Sequence, residues 1–284
     1  MEQCNLCPVA CKAERQQRAG ACGVKGITVA KYCLHAYEEP ALSPNRRSGA
    51  VFFGGCSLRC VFCQNYEVSR AKLGKELSPK ELAELFKELE EAGAENIDLV
   101  TPDHLSSLIG EALSIYRPRV PVVYNSGGYC KVAALEEIDP YIDVYLPDLK
   151  FVSPALSERY TGRKDYFEYA SESIAFMAKK PVLFENGQLK SGILARHLIL
   201  PCCTSDSLKA LEFLKSVLPE GAPVSLMRQY TPMHTSDYPE LKRTLTDREY
   251  RRVRDYALSL DFSVLYAQDK TSASAAFIPD WNGD

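Results

Sequence analysis

Apolar positions in this chain alternate between short runs and longer stretches at helical spacing. The run GAVFFG over 49–54 is bounded by glycines and reads as a buried strand. Ser78, Pro79, Lys80 and Glu81 form a capping-box pattern with proline at the first helical position. Leu82, Leu85, Phe86 and Leu89 then recur at helical spacing up to Gly93, and Asn96–Val100 (NIDLV) reads as the next strand. The alternation continues with a helix over about Leu105–Tyr116, a strand Val120–Tyr124, a helix from about Lys131 and a strand Ile142–Leu146. Helical segments over about Pro154–Tyr160 and Tyr166–Lys179 precede the strand Arg196–Pro201. A helix Ser205–Val217, a strand Pro223–Met227, a helix capped at Thr246 and running to Leu260, and a last strand Ser263–Ala267 complete the pattern. Such alternation predicts an α/β fold with a parallel sheet and right-handed crossovers. Six strands before the last imply a partial, TIM-like (β/α)6 barrel, with chemistry expected at the C-terminal strand ends.

The first predicted barrel strand runs directly into a loop carrying Cys56, Cys60 and Cys63. Three thiolates on one tight loop suit three corners of a [4Fe-4S] cluster and leave the fourth iron open. A structural zinc site wants four closed ligands, and no further cysteine or histidine follows Cys63 until His104. Upstream, Cys4, Cys7, Cys11 and Cys22 crowd a segment with few large apolar residues, which needs a metal or disulfide to hold its shape. That set suits either zinc or a second iron-sulfur cluster, with packed free thiols as the plainer alternative. Residues 32–48 contain two prolines and no clear period, and read as a linker carrying Cys33 and His35. The expected division is a cysteine-rich metal-binding segment with linker at 1–46 and a barrel at 47–284.

Composition narrows the setting. A net charge of −3 gives no reason to expect a nucleic-acid or membrane partner, and no apolar run reaches membrane-spanning length. Eleven cysteines without an evident secretory leader suit metal ligation in a reducing, cytoplasmic compartment better than a disulfide framework.

Residues just after the strands supply polar candidates: Thr101, Pro102, Asp103 and His104; Asn125 and Ser126; Asp148 and Lys150; Arg228, Gln229 and Tyr230; and strand five itself holds Arg196 and His197. Asp148 and Lys150 are two apart and share a face in extended chain, so they offer charges of both signs to a zwitterionic ligand. A strand-end salt bridge is the simpler account of that pair. His104 suits an acid or base, or a helix cap. Cys130, Cys202 and Cys203 are more readily explained by packing, and no general base is assigned beyond the cluster.

The C-x3-C-x2-C spacing with Phe62 before the last cysteine resembles the signature of the radical S-adenosylmethionine (SAM) superfamily. GGCSLRCVFCQNYE, YLPDLK, RHLILP and SLMRQYTPM, with the CxLCPxxC opening, resemble an uncharacterised group related to pyruvate formate-lyase activating enzyme, over nearly the whole chain. The resemblance implies SAM chelated on the open iron and reductively cleaved to methionine and a 5'-deoxyadenosyl radical, which abstracts hydrogen from a protein glycine or a small or peptidic substrate. It implies SAM contacts at Asp148 and Lys150; Phe62 on the cysteine loop and Thr101, Asn125, Ser126, Arg196 and His197 at the strand ends are further cofactor-binding candidates. A one-electron reductant such as flavodoxin or ferredoxin, and a protein substrate in the activase case, are the implied partners. Val100-Thr101-Pro102-Asp103 stands where the group's Gly-Gly-Glu stretch is usual, so backbone or Thr101 oxygens would replace it. The histidine glycyl-radical activases carry near strand six is replaced by Arg228, Gln229 and Tyr230. The competing reading is a non-catalytic iron-sulfur electron-transfer or metal-binding protein, which leaves the barrel and its polar strand ends without a task. A zinc-bearing docking module at the N-terminal cysteines is a third.

Overall fold

A computed structural model describes residues 3–45, 47–235, 237–269 and 272. Residues 1, 2 and 46 of the expected cysteine-rich segment, and 236, 270, 271 and 273–284 of the expected barrel, lie outside the described residues. In chain order the elements are β1 (Ile27–His35), β2 (Ser48–Phe53), α1 (Tyr66–Ser69), β3 (Lys75–Leu77), α2 (Pro79–Glu91), β4 (Asn96–Val100), α3 (Ser106–Ile115), β5 (Val122–Ser126) and α4 (Val132–Ile138). They continue as β6 (Val144–Pro147), α5 (Pro154–Thr161), α6 (Tyr166–Met177), β7 (Leu183–Glu185), β8 (Gln188–Ile193), β9 (Ala195–Leu198), α7 (Thr204–Val217), β10 (Pro223–Met227), α8 (Asp247–Ser259) and β11 (Val264–Ala267).

β2, β4, β5 and β6 pair in parallel in that order, and β9, β10 and β11 form a second parallel set. The two sets meet at one parallel bridge, Asp148 with Arg196, and Leu149 N–H donates to Arg196 O at 2.9 Å. Among the described residues no ladder joins β11 to β2, so the barrel is open, as a partial (β/α)6 architecture requires. The expected helices are present, and both predicted capping boxes form, Ser78 with Glu81 and Thr246 with Glu249. Strand three starts later than expected, at Val122, because Pro121 has no N–H for the ladder and supplies only its carbonyl, to Ile97.

Two features depart from the expected plan. The stretch read as an irregular linker begins inside β1, which pairs antiparallel with β2 up to His35 opposite Ser48. Between α6 and β9 the chain makes a hairpin, β7 and β8, around Asn186 (φ 51°) and Gly187 (φ 80°). Asn-Gly is the residue pair a tight hairpin turn favours, so that signal was present in the sequence. β8 pairs with β6, and after Leu194 the same extended chain becomes β9 and turns to β10.

Residues 36–44 cross the N-terminal ends of the barrel strands. Leu42 O accepts from Asn96 Nδ2 (2.8 Å) and Gln188 Nε2 (2.9 Å), Leu189 N–H donates to Ala41 O (2.7 Å), and Ser43 Oγ donates to Glu95 (2.8 Å). Ala41 and Leu42 form a separate apolar cluster with Val123, Val144, Leu146, Leu189 and Leu194, the inward residues of the barrel. The segment is a plug. Leu42→Ala should therefore cost about 2–5 kcal/mol by loss of burial plus the cavity left behind, read as a lowered urea midpoint with unchanged slope.

Candidate active site

Alternation along the strands decides what the barrel interior contains. In β4, Ile97 and Leu99 join the core under the helices, so Asp98 points inward. The same parity turns Asn125, Arg196 and Ser225 into the lumen and turns His197 out of it. One cavity of about 940 Å³ occupies that lumen. At one end it is lined by Cys56, Cys60 and Cys63, and at the other by His35 at the end of β1 and residues 36–40 of the plug.

The cysteine loop leaves the C-terminal end of β2 through Gly54 and Gly55. Gly55 has φ +82°, and a Cβ there would lie 2.6 Å from Cys22 O, so no other residue fits. Cys56 N–H donates to that same carbonyl (3.2 Å), which ties the N-terminal cysteine segment to the loop. Desolvation pushes the thiols of Cys56, Cys60 and Cys63 up. It is opposed by N–H groups of Leu58 and Arg59 at Cys56, by the Lys150 ammonium at Cys60, and by the Ser69 hydroxyl and then Lys150 at Cys63. Donors and a cation around soft thiol ligands match what a thiolate-held cluster needs. All three cysteines are free thiols. Among the described residues no three or more His, Cys, Asp or Glu converge as ligands of a single metal ion. A cubane takes one thiolate per iron and so asks for three thiols facing one space, which this loop provides.

Phe62 packs edge-on against Phe151 (5.9 Å) and Tyr160 (6.4 Å) and braces the loop. Thr101, Asn125, Ser126, Asp148, Lys150 and Arg196 all reach the cavity. Thr101 sits at φ +64°, unusual for a β-branched residue, and its N–H donates to Asn125 O. Ser126 Oγ donates to Asp103 at 2.7 Å. Burial raises Asp103 to about 6 against that bond. Asp148 accepts from Lys150 Nζ and from Arg196 Nε, both at 2.7 Å. Burial would raise Asp148, but Arg196 and Lys150 outweigh it and hold the carboxylate below its usual range. Tyr166 fixes the turn between them: its hydroxyl accepts from Lys150 N–H and lies 2.9 Å from Asp148 O.

Two histidines are not brought to the cavity. His197 Nδ1 lies 2.6 Å from Leu149 O, on the helix side. His104 is fully buried with Nε2 2.9 Å from Gly54 O, and burial lowers it to about 4, so it is a neutral strut beneath the cysteine loop. It does not cap α3, whose N-cap Leu105 has no side-chain bond. Cys130 and Cys203 are buried and Cys202 is exposed. Arg228 turns outward to Asp247 and Tyr250, while Gln229 reaches the cavity.

The cavity also contains residues not anticipated from the sequence. Glu38 contacts Arg196 Nη1 at 3.3 Å, and Asn125 Oδ1 accepts from Arg196 Nη2 at 2.6 Å. Behind this lining, Asp98 is fully buried and accepts from Asn125 Nδ2 (3.2 Å) on one oxygen, while its other oxygen has no partner. Glu39 is 9% exposed and lines the cavity. Asp98 had a visible signal: a lone carboxylate inside a buried strand. Glu38 and Glu39 had none, because nothing local shows that a loop enters a barrel.

The N-terminal cysteines gather as well. Arg15 donates to Cys4 Sγ (3.1 Å), to Cys22 Sγ (3.5 Å) and to His104 O (2.8 Å), and Ala21 N–H donates to Cys11 Sγ (3.5 Å). Burial, reinforced by Cys22, Cys4 and Cys11 against an N–H from Val9, pushes Cys7 up to about 11.

This arrangement agrees with the comparisons. Residues 50–182 match the family model of the radical SAM superfamily. The chain is 30% identical over 280 residues to the uncharacterised protein MJ0674 of Methanocaldococcus jannaschii, covering 93% of this chain and 77% of that one. Streptococcus suis SuiB, in a structure bound to precursor peptide SuiA, matches with TM-score 0.51 and 11% identity over 75% of this chain and 46% of SuiB. This chain thus spans less than half of SuiB's length. A domain of pyruvate-formate lyase-activating enzyme from Bacteroides vulgatus matches at TM-score 0.39 and 11% identity, over 67% of this chain and 91% of that one. The chain belongs to the radical SAM superfamily, whose members carry a [4Fe-4S] cluster and use SAM. Among the described residues no helix is long and apolar enough to cross a membrane.

Glu39 yields a pH prediction. Burial raises it to about 7, with Arg196 opposing and Glu38 and Asp148 reinforcing, beside Ser225 and Tyr266. The folded protein then keeps a proton that the unfolded chain releases, so this group's contribution to stability falls as pH rises from about 4.5 to 7. Glu39→Gln should raise the ligand-free protein's stability by on the order of 1–3 kcal/mol at pH 8 and leave it unchanged at pH 4, measured by thermal melts at both.

Proposed function

We propose that Cys56, Cys60 and Cys63 hold a [4Fe-4S] cluster with one open iron, and that SAM binds there across the strand ends. When bound, this pair supplies one-electron reductive cleavage of SAM for hydrogen abstraction from a protein glycine or a small or peptidic substrate. The observation that carries the reading is that the three cysteines and the Asp148–Lys150 pair open onto one cavity. Lys150 places a positive charge beside the thiols, suited to a carboxylate. Asp148, kept ionised by Lys150 and Arg196, suits a hydroxyl or amino group. Thr101 and the β5 end present backbone and hydroxyl groups on the same rim. The electron-transfer alternative gives no role to so large a cavity.

With reconstituted protein, SAM and dithionite under anaerobic conditions, 5'-deoxyadenosine and methionine should form, and Cys60→Ala should reduce both to background in chromatography. Product in the variant equal to wild type would overturn the assignment. Asp148→Asn should weaken SAM binding by about 10–100-fold, as expected for losing a charged hydrogen-bond acceptor, read by equilibrium dialysis.

We also infer that Cys4, Cys7, Cys11 and Cys22 form a second metal site, a cluster in preference to zinc, because no three of them converge on a single metal position. Three free thiols around the Arg15 guanidinium, Cys4, Cys11 and Cys22, with Cys7 close enough to feel all three, support it. Iron, sulfide and zinc per chain should fall in the Cys7→Ser/Cys11→Ser double variant while the content attributable to the barrel loop stays.

A further inference from the structure

The barrel lumen holds more acid than its cations neutralise. Four carboxyls, Asp148, Glu38, Glu39 and Asp98, act on the single guanidinium of Arg196. Asp148 is satisfied by Arg196 and Lys150, and Glu38 faces Arg196 at 3.3 Å. Glu39 makes no ion pair with a described residue, and Asp98 Oδ1 is buried against the Glu38 carboxyl with no donor. Two carboxyls meeting without a donor share a proton or await a cation. A second observation stands outside the acidic set. Ser225 Oγ on β10 is 1% exposed, lines the same cavity beside the Glu39 carboxyl, and makes no hydrogen bond of ordinary geometry. An orphaned buried hydroxyl of this kind is uncommon and calls for a ligand.

These groups lie away from the cysteines, on the plug side, where the segment carrying Glu38 and Glu39 is strapped to β4 and β8. The plug is held by its own bonds, so the two carboxyls are preorganised. Arg196 separates them from Asp148, and so from the proposed SAM contacts. The floor offers acceptors in excess, one hydroxyl and an apolar side of Phe52, Leu198 and Met227.

We propose that the floor formed by Glu38, Glu39 and Ser225, with Asp98 buried behind Glu38, binds a protonated amine at the end of an alkyl chain, so that the substrate is an amine-bearing molecule or side chain. This rests on the reading of the chain as a radical SAM enzyme and names the substrate class of that site. The ammonium replaces the shared proton, takes Ser225 Oγ as an acceptor, and leaves the chain running along the apolar side toward the cysteine loop.

The test is calorimetric and needs no turnover, so its failure is distinct from failure to cleave SAM. Full-length reconstituted protein with saturating SAM is titrated with n-pentylamine, 1-pentanol and pentanoate. The amine should bind at least about tenfold more tightly than the alcohol, as one desolvated charge-assisted contact would give. Glu39→Gln should abolish that preference and Ser225→Ala should reduce it, with SAM affinity unchanged in both. Equal binding of amine and alcohol by the wild type would overturn the proposal. So would an amine preference that survives Glu39→Gln, or a loss of SAM affinity in Glu39→Gln, which would make the floor part of the SAM site. Circular dichroism and melts of each variant confirm that it is folded, and a destabilised Glu39→Gln protein at pH 8 would mark a structural carboxylate and also overturn the proposal.

Discussion

Arg196 is the residue on which the barrel interior depends. Its backbone makes the bridge that joins the β2–β6 set to the β9–β11 set, and its guanidinium faces four carboxyls inside the lumen. A buried charge is tolerable only when paired and hydrogen-bonded, and breaking such a pair is far more costly than the pair is stabilising. Asp148 and Glu38 meet that need from opposite directions, one from the rim that carries the cysteine loop and one from the plug. A single guanidinium therefore fixes the height of β6 against β9, the ionisation of Asp148 and the seating of the plug.

The cysteine loop has a comparable dependence on distant chain. Its shape requires Gly55, because Cys22 O occupies the space a side chain would fill. The N-terminal segment is bonded to the loop through the Cys56 N–H and to the start of α3 through Arg15. His104, neutral and buried, holds the Gly54 carbonyl from below. The two cysteine sets are thus joined by a main-chain hydrogen bond, and whatever orders the first constrains the second.

Most of the architecture was legible along the chain because its signals are local. Capping boxes at Ser78 and Thr246, helical spacing between them and glycine-bounded apolar runs each depend on a few neighbouring residues. The Asn186–Gly187 turn was equally local, yet the strand before it, β7, is only three residues long and exposed, too short a run to stand out as a strand. Reading 32–48 as a periodless linker fell short because β1 has one face on the core and one facing outward, and its pairing with β2 is set by residues opposite it and not by its own pattern.

By itself the sequence determined the order of strands and helices, the trio of cysteines on the loop after the first barrel strand, and the Asp148 and Lys150 pair two residues apart. Those are matters of spacing, and spacing survives in one dimension. Only the tertiary structure decided that His197 turns away while Arg196 turns in, that His104 is a strut, and that Glu38 and Glu39 enter the lumen beside Asp98 and Ser225. These outcomes follow from which face of a strand meets the lumen and from a loop closing the far end of an open barrel. Both depend on contacts between residues separated by scores of positions, such as Glu38 with Arg196 and Leu42 with Gln188.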